Sequence, residues 1–117
     1  MTEQKIAPLN IEQGYQGKVL LVRISGGKAD GLICLRGGDD WHWLILANTK
    51  AELRDLGYAN ADVVPAGGAA MRFEADGSII LYGHSDTYGA CDKKIAADLL
   101  CKHFPGHKVV IRAESYL

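Results

Sequence analysis

Short apolar runs alternate along the chain with polar, glycine-rich punctuation, and the period of each run indicates its element. Residues 1–17 are polar, with Ile6, Leu9, Ile11 and Tyr15 as isolated apolar positions. That suits an N-terminal tail or a short strand lying on the rest. Lys18-Val19-Leu20-Leu21-Val22-Arg23-Ile24 is rich in β-branched residues, charged near both ends and closed by Ser25-Gly26-Gly27, which predicts a largely buried strand. Residues 31–36 form a second strand, stopped by Gly37-Gly38-Asp39-Asp40. Trp41-His42-Trp43-Leu44-Ile45-Leu46-Ala47 is aromatic and apolar throughout and reads as a third.

The period then changes. Residues 48–57 place Thr49 three positions before Glu52, the pattern of a capping box, with Leu53 and Leu56 on one face and Gly57 at the expected stop of a short helix. A loop at 65–68 leads into Met71-Arg72-Phe73-Glu74, which has a period of two. Ala75-Asp76-Gly77 supplies a hairpin turn, and Ser78-Ile79-Ile80-Leu81-Tyr82 is the returning strand. The loop 83–89 opens into a second helix over about 91–104, amphipathic, with Lys102-His103 in its last turn and Pro105-Gly106 beyond it. A final strand covers 108–112. The order β-β-β-α-β-β-α-β predicts an α/β fold: a single domain over 18–117, with a mixed β-sheet of about six strands flanked by two α-helices.

Composition narrows the classes. At 117 residues, 48% apolar and 23% charged, the chain is long enough for one core and too apolar for disorder. Glycine is abundant at 14 residues, much of it in pairs, as befits many short elements joined by tight turns. Thirteen Lys and Arg against fourteen Asp and Glu exclude a basic coat for nucleic acid, while a local cationic pocket stays possible. No run approaches the ~18 apolar residues of a membrane span. Met1-Thr2-Glu3-Gln4-Lys5 lacks the build of a signal peptide. Cys34, Cys91 and Cys101 form no C-x-x-C pair, which points to reduced thiols in a cytoplasmic protein.

Candidate chemistry is sparse. There is no phosphate loop of the GxxxxGK[ST] type, no HExxH helix and no GxSxG elbow. His103 and His107 are four apart but separated by Pro105, so no metal site is expected there. Strand alternation would put His42 on the face of Leu44 and Leu46, opposite Trp41 and Trp43. There it is either a partly buried structural histidine or an imidazole poised as base or nucleophile. The loop 83–89 brackets hydroxyl residues between glycines and feeds a helix start. Its amides suit an anion, or else Ser85 or Thr87 merely caps the helix. Lys18, Arg23, Arg36 and Arg72 are candidate cations or plain surface charge.

The segment Tyr82-Gly83-His84-Ser85-Asp86-Thr87-Tyr88-Gly89 resembles the Y-G-x-S-x-x-Y-G motif of the small, metal-independent protein phosphohistidine phosphatases, the Janus/Ocnus family. The likeness extends to Lys18 leading the first strand, to Trp41-His42 where the family carries its catalytic histidine, and to the helix ending at Gly57. Gly67-Gly68 with Arg72-Phe73, and His103-Phe104-Pro105, are similar in order and spacing, so the resemblance runs from residue 18 onward. It implies a mixed sheet between two helices and hydrolysis of phosphohistidine, in a phosphorylated protein or a small phosphoramidate, with no cofactor or metal.

Carried over, His42 is the catalytic base or nucleophile, and Lys18 holds the phosphoryl group. The loop through Ser85, Asp86 and Thr87 binds its oxygens, and Arg72 and Arg36 assist in binding substrate. The chain departs from the family pattern at His84, where tyrosine is more usual, which adds a second, auxiliary imidazole beside the anion loop. A monomer is expected. The rival readings are a phospho-ligand binding module on the same fold, and an interaction protein that uses Trp41, Trp43 and a sheet edge.

Overall fold

The elements form in the order β1 (Gly17–Ser25), β2 (Ile33–Gly37), α1 (His42–Asp55), β3 (Asp62–Phe73), β4 (Ile79–Tyr82), α2 (Lys93–His103) and β5 (Val109–Ile111). The computed structural model describes residues 4–112; residues 1–3, the start of the stretch without a leader's build, and 113–117, the end of the expected unit, lie outside them. The strands make one sheet in the order β2-β1-β3-β4-β5, antiparallel except for the β4–β5 pair. The α/β class and the two helices agree with the sequence pattern, while the strands among the described residues number five. Among the described residues no helix is long and apolar enough to cross a membrane.

The centre of the sheet explains the near-continuous apolar run of β1, because both its faces are covered. Val19 and Leu21 point into a core with Met71, Leu81 and the α2 residues Ala96 and Leu100. Leu20, Val22 and Ile24 point into a second core with Ile45, Leu46 and Leu53 of α1. The N-terminal segment belongs to both: Ile6 enters the α1 core, and Leu9 and Ile11 the α2 core. It runs along the edge of β2, where Leu35 N–H donates to Pro8 (2.9 Å) and Leu9 bridges Leu35. This covers an edge that would otherwise be open to another strand.

Three local expectations are corrected. Residues 41–47 are not a strand: His42 opens α1, and the stretch 48–57 holds its second half. The buried positions His42, Ile45, Leu46, Thr49 and Leu53 follow the helical period, while Trp41 and Trp43 stay 59% and 55% exposed. A short apolar run has no period of its own. The stripe continuing through Thr49 and Leu53 settles it as helix. The capping box is also absent, because Thr49 lies mid-helix with its hydroxyl donating to the Ile45 carbonyl (2.8 Å). The helix does end as expected, with Gly57 at φ 99°.

Residues 65–68 are not a loop either. They lie within β3, where the pairing with β1 slips by one residue between Leu20 and Val22, a bulge that contains Gly67 at φ 95°.

Glu52 pairs instead with Arg36, whose guanidinium is fully buried beneath α1. Arg36 Nε and one terminal nitrogen donate to the two Glu52 oxygens at 2.9 and 3.1 Å, and the latter nitrogen also donates to the Ala7 carbonyl at 2.7 Å. Arg36 therefore ties the N-terminal segment and α1 to β2, and it does not reach the site described below. The two truncations should differ. Glu52→Ala strands a buried cation and is expected to cost about 3–5 kcal/mol in urea unfolding. Arg36→Met leaves a carboxylate whose side chain is 33% exposed and can be hydrated, so its cost should be clearly smaller.

Candidate active site

His42 is the first residue of α1 and is only 7% exposed, which places its ring against the sheet. The floor beneath it is Gly68 of β3. A Cβ there would stand 2.7 Å from both Cδ2 and Nε2 of His42 and 2.8 Å from the Cβ of Ser85. The same strand receives the loop that follows β4: Gly68 N–H donates to Gly89 (2.8 Å), and Cys91 N–H donates to Gly68 (3.1 Å). Glycine is required because two chain segments close on it from above. Histidine and loop, more than forty positions apart in the chain, thus meet over one residue.

The ring is fixed in one tautomer. His42 Nε2 lies 3.0 Å from the Ala69 carbonyl, which can only accept, so Nε2 carries the hydrogen and a neutral ring has its lone pair on Nδ1. Burial holds the imidazole below the usual histidine range. The Ala69 and Val19 carbonyls oppose this, and the nearby Lys18 ammonium adds to the lowering. A neutral imidazole keeps one ring nitrogen unprotonated and can act as a base.

The loop is organised around Ser85, which is buried at 2% exposure. Its Oγ accepts from Thr87 N–H (3.2 Å) and Tyr88 N–H (3.0 Å), and its backbone pairs in both directions with Gly89. With both acceptor positions used, the Ser85 hydroxyl keeps its proton for donation. The amides of Thr87 and Tyr88 are turned toward Ser85, unlike the open crown of donors the motif suggested. Nor does the loop form a helix terminus. Helix α2 starts at Lys93 and is capped by Asp92, whose carboxylate accepts from Lys94 and Ile95.

A cleft of about 330 Å³ opens here. Lys18, Trp41, His42 and Trp43 line one side, and residues 84–87 line the other. Lys18 stands at the head of β1 opposite Ala70, on the face that α1 covers. Of the sequence candidates, the fold brings together His42, Lys18, His84, Ser85, Asp86 and Thr87. It leaves out Arg36, committed to Glu52, and Arg72, whose Nε donates to Glu74 at 2.7 Å while its guanidinium lies over the Tyr82 ring. Asp39 and Asp40 close the turn before α1 and do not line the cleft.

Two contributions escaped sequence reasoning. One is Gly68 as floor, although a glycine pair inside a strand-like run is a sign of close backbone approach. The other is the pair of exposed indoles flanking His42 as cleft walls, which strand alternation would have turned away. No cysteine lines the cleft, and Cys34 and Cys91 are buried, with burial pushing both thiols up. Among the described residues no group of three or more His, Cys, Asp or Glu is placed to hold a metal ion.

No curated protein matches this chain. The family model of the Janus/Ocnus family, by contrast, matches residues 3–108, from the N-terminal segment to the residue before β5, and the chain belongs to that family.

Proposed function

We propose that this protein is a phosphohydrolase that removes the phosphoryl group from phosphohistidine, with His42 as base or nucleophile. The observation that supports this most is the convergence in one cleft of the buried His42 imidazole, the Lys18 ammonium and the buried Ser85 hydroxyl. Phosphoryl transfer needs little covalent help from the protein. Positioning and the spreading of negative charge over donors supply most of the rate. Lys18 and the Ser85 O–H would take phosphoryl oxygens, and Nδ1 would remove a proton from water or attack phosphorus itself.

A second reading has its own support. The Thr87 and Tyr88 amides already bond to Ser85, and the acidic Asp86 lines the cleft, as expected of a module that binds a phosphorylated group without turnover. One assay separates the two. The protein is incubated with a phosphohistidine peptide, and separately with phosphoramidate, in the presence of a chelator, and released phosphate is measured. Multiple turnovers are expected. Saturable binding with no phosphate released would establish the second reading instead.

A further inference from the structure

Breaking a phosphohistidine P–N bond requires two proton movements, and His42 can perform only one of them. It is buried, its Nε2–H is committed to Ala69, and in the proposed reaction its other ring nitrogen takes a proton from the nucleophile's side. The leaving ring needs a proton from elsewhere. The nitrogen that bears phosphorus has its electrons in the aromatic system, so the proton must arrive at the ring's other nitrogen, which carries an in-plane lone pair.

The cleft holds a second imidazole. His84 lines the same cleft as His42 but its side chain is 51% exposed, against the 7% of the buried His42. Its Nε2 lies 3.4 Å from a carboxylate oxygen of Asp86. That contact orients the imidazole, as a carboxylate does for a histidine in acid–base chemistry. The other protic groups of the cleft are less suited, since lysine ammonium and serine hydroxyl groups release protons poorly near neutrality. Lys18 and Ser85 are in any case needed on the phosphoryl oxygens.

We infer that His84, supported by Asp86, is the general acid that protonates the leaving imidazole, an inference that rests on the proposed hydrolysis of phosphohistidine. In the step, water oxygen bonds to phosphorus as the P–N bond breaks. The electron pair of that bond stays on the ring nitrogen that carried phosphorus. His84 gives its proton to the other ring nitrogen, so a neutral imidazole departs, and His42 Nδ1 takes the proton released by water. Solvent then returns a proton to His84 and removes one from His42. The leaving side is the same if Nδ1 attacks phosphorus directly.

The test uses the full chain with a phosphohistidine peptide as substrate. His84→Ala is expected to lower kcat by about 10²-fold with KM little changed. Added imidazole should restore kcat in proportion to the imidazolium fraction as pH is varied. No loss in kcat, a loss confined to KM, or a loss that imidazolium does not restore would each overturn the inference and leave the hydrolase reading standing. A wild-type protein inert toward the peptide overturns the hydrolase reading and the inference with it.

Discussion

Replacing His42 with glutamine is expected to lower phosphohistidine turnover by at least about 10²-fold, the scale of lost acid–base catalysis. Glutamine is the informative choice because its Nε2 can still donate to Ala69, so the structural bond is kept and only the free lone pair is removed. The pH dependence has a definite sign. Burial holds the His42 pKa below the ordinary ~6.5 of histidine, so the base form persists into more acidic solution, and the acid limb of kcat/KM should fall below that value.

Stability should share this origin. Unfolded His42 takes up a proton at ~6.5 and the folded residue only at lower pH, so unfolding gains a proton between the two values. The contribution is complete above the unfolded value and declines as pH falls toward the folded one. A titration of urea midpoints should show a decline starting near pH ~6.5 that is reduced in His42→Gln. Wild-type turnover in the variant would remove His42 from the chemistry.

Gly68→Ala is expected to be nearly as damaging to turnover although it removes no functional group. The added methyl would meet His42 at 2.7 Å and Ser85 at 2.8 Å, so ring and loop must move apart by roughly half an ångström or more. Displacements of about 1 Å in a site that works by positioning cost on the order of 10²-fold. Overpacking should add a stability loss of about 1–3 kcal/mol.

Gly31→Ala serves as the control. Gly31 has φ 88° and open space around it, so alanine there meets only the backbone cost of about 1–2 kcal/mol. It should leave turnover unchanged at temperatures where the protein is folded. If Gly68→Ala keeps full activity, then the meeting of His42 and Ser85 is not what the chemistry uses.

Much of the fold was legible because local physics and global structure agree. The alternation around Arg72 and Ser78–Tyr82, the Asp76-Gly77 turn, the Gly57 stop and the amphipathic α2 all form where their patterns indicate. Residues 41–47 failed for a physical reason: seven apolar and aromatic residues satisfy strand and helix alike, and only the stripe continuing through Thr49 and Leu53 distinguishes them. The loop expected at 65–68 failed because glycine and proline usually end elements, whereas here they admit a bulge and a second segment against the strand. Arg36 and Glu52 each had a plausible local role, and neither role survived their burial against each other.

By itself the sequence determined the α/β class, the family-like motif from Tyr82 to Gly89, and the identity of the groups able to do chemistry, because side-chain types and short periodicities are local properties. Only the tertiary structure decided which of those groups share a cleft. It seated His42 on a helix over Gly68, turned Lys18 and His84 toward it, and committed Arg36 and Arg72 to Glu52 and Glu74. Those outcomes depend on burial, on close approach between distant segments and on competition for partners. No stretch of chain encodes them until the sheet and its two helices have packed.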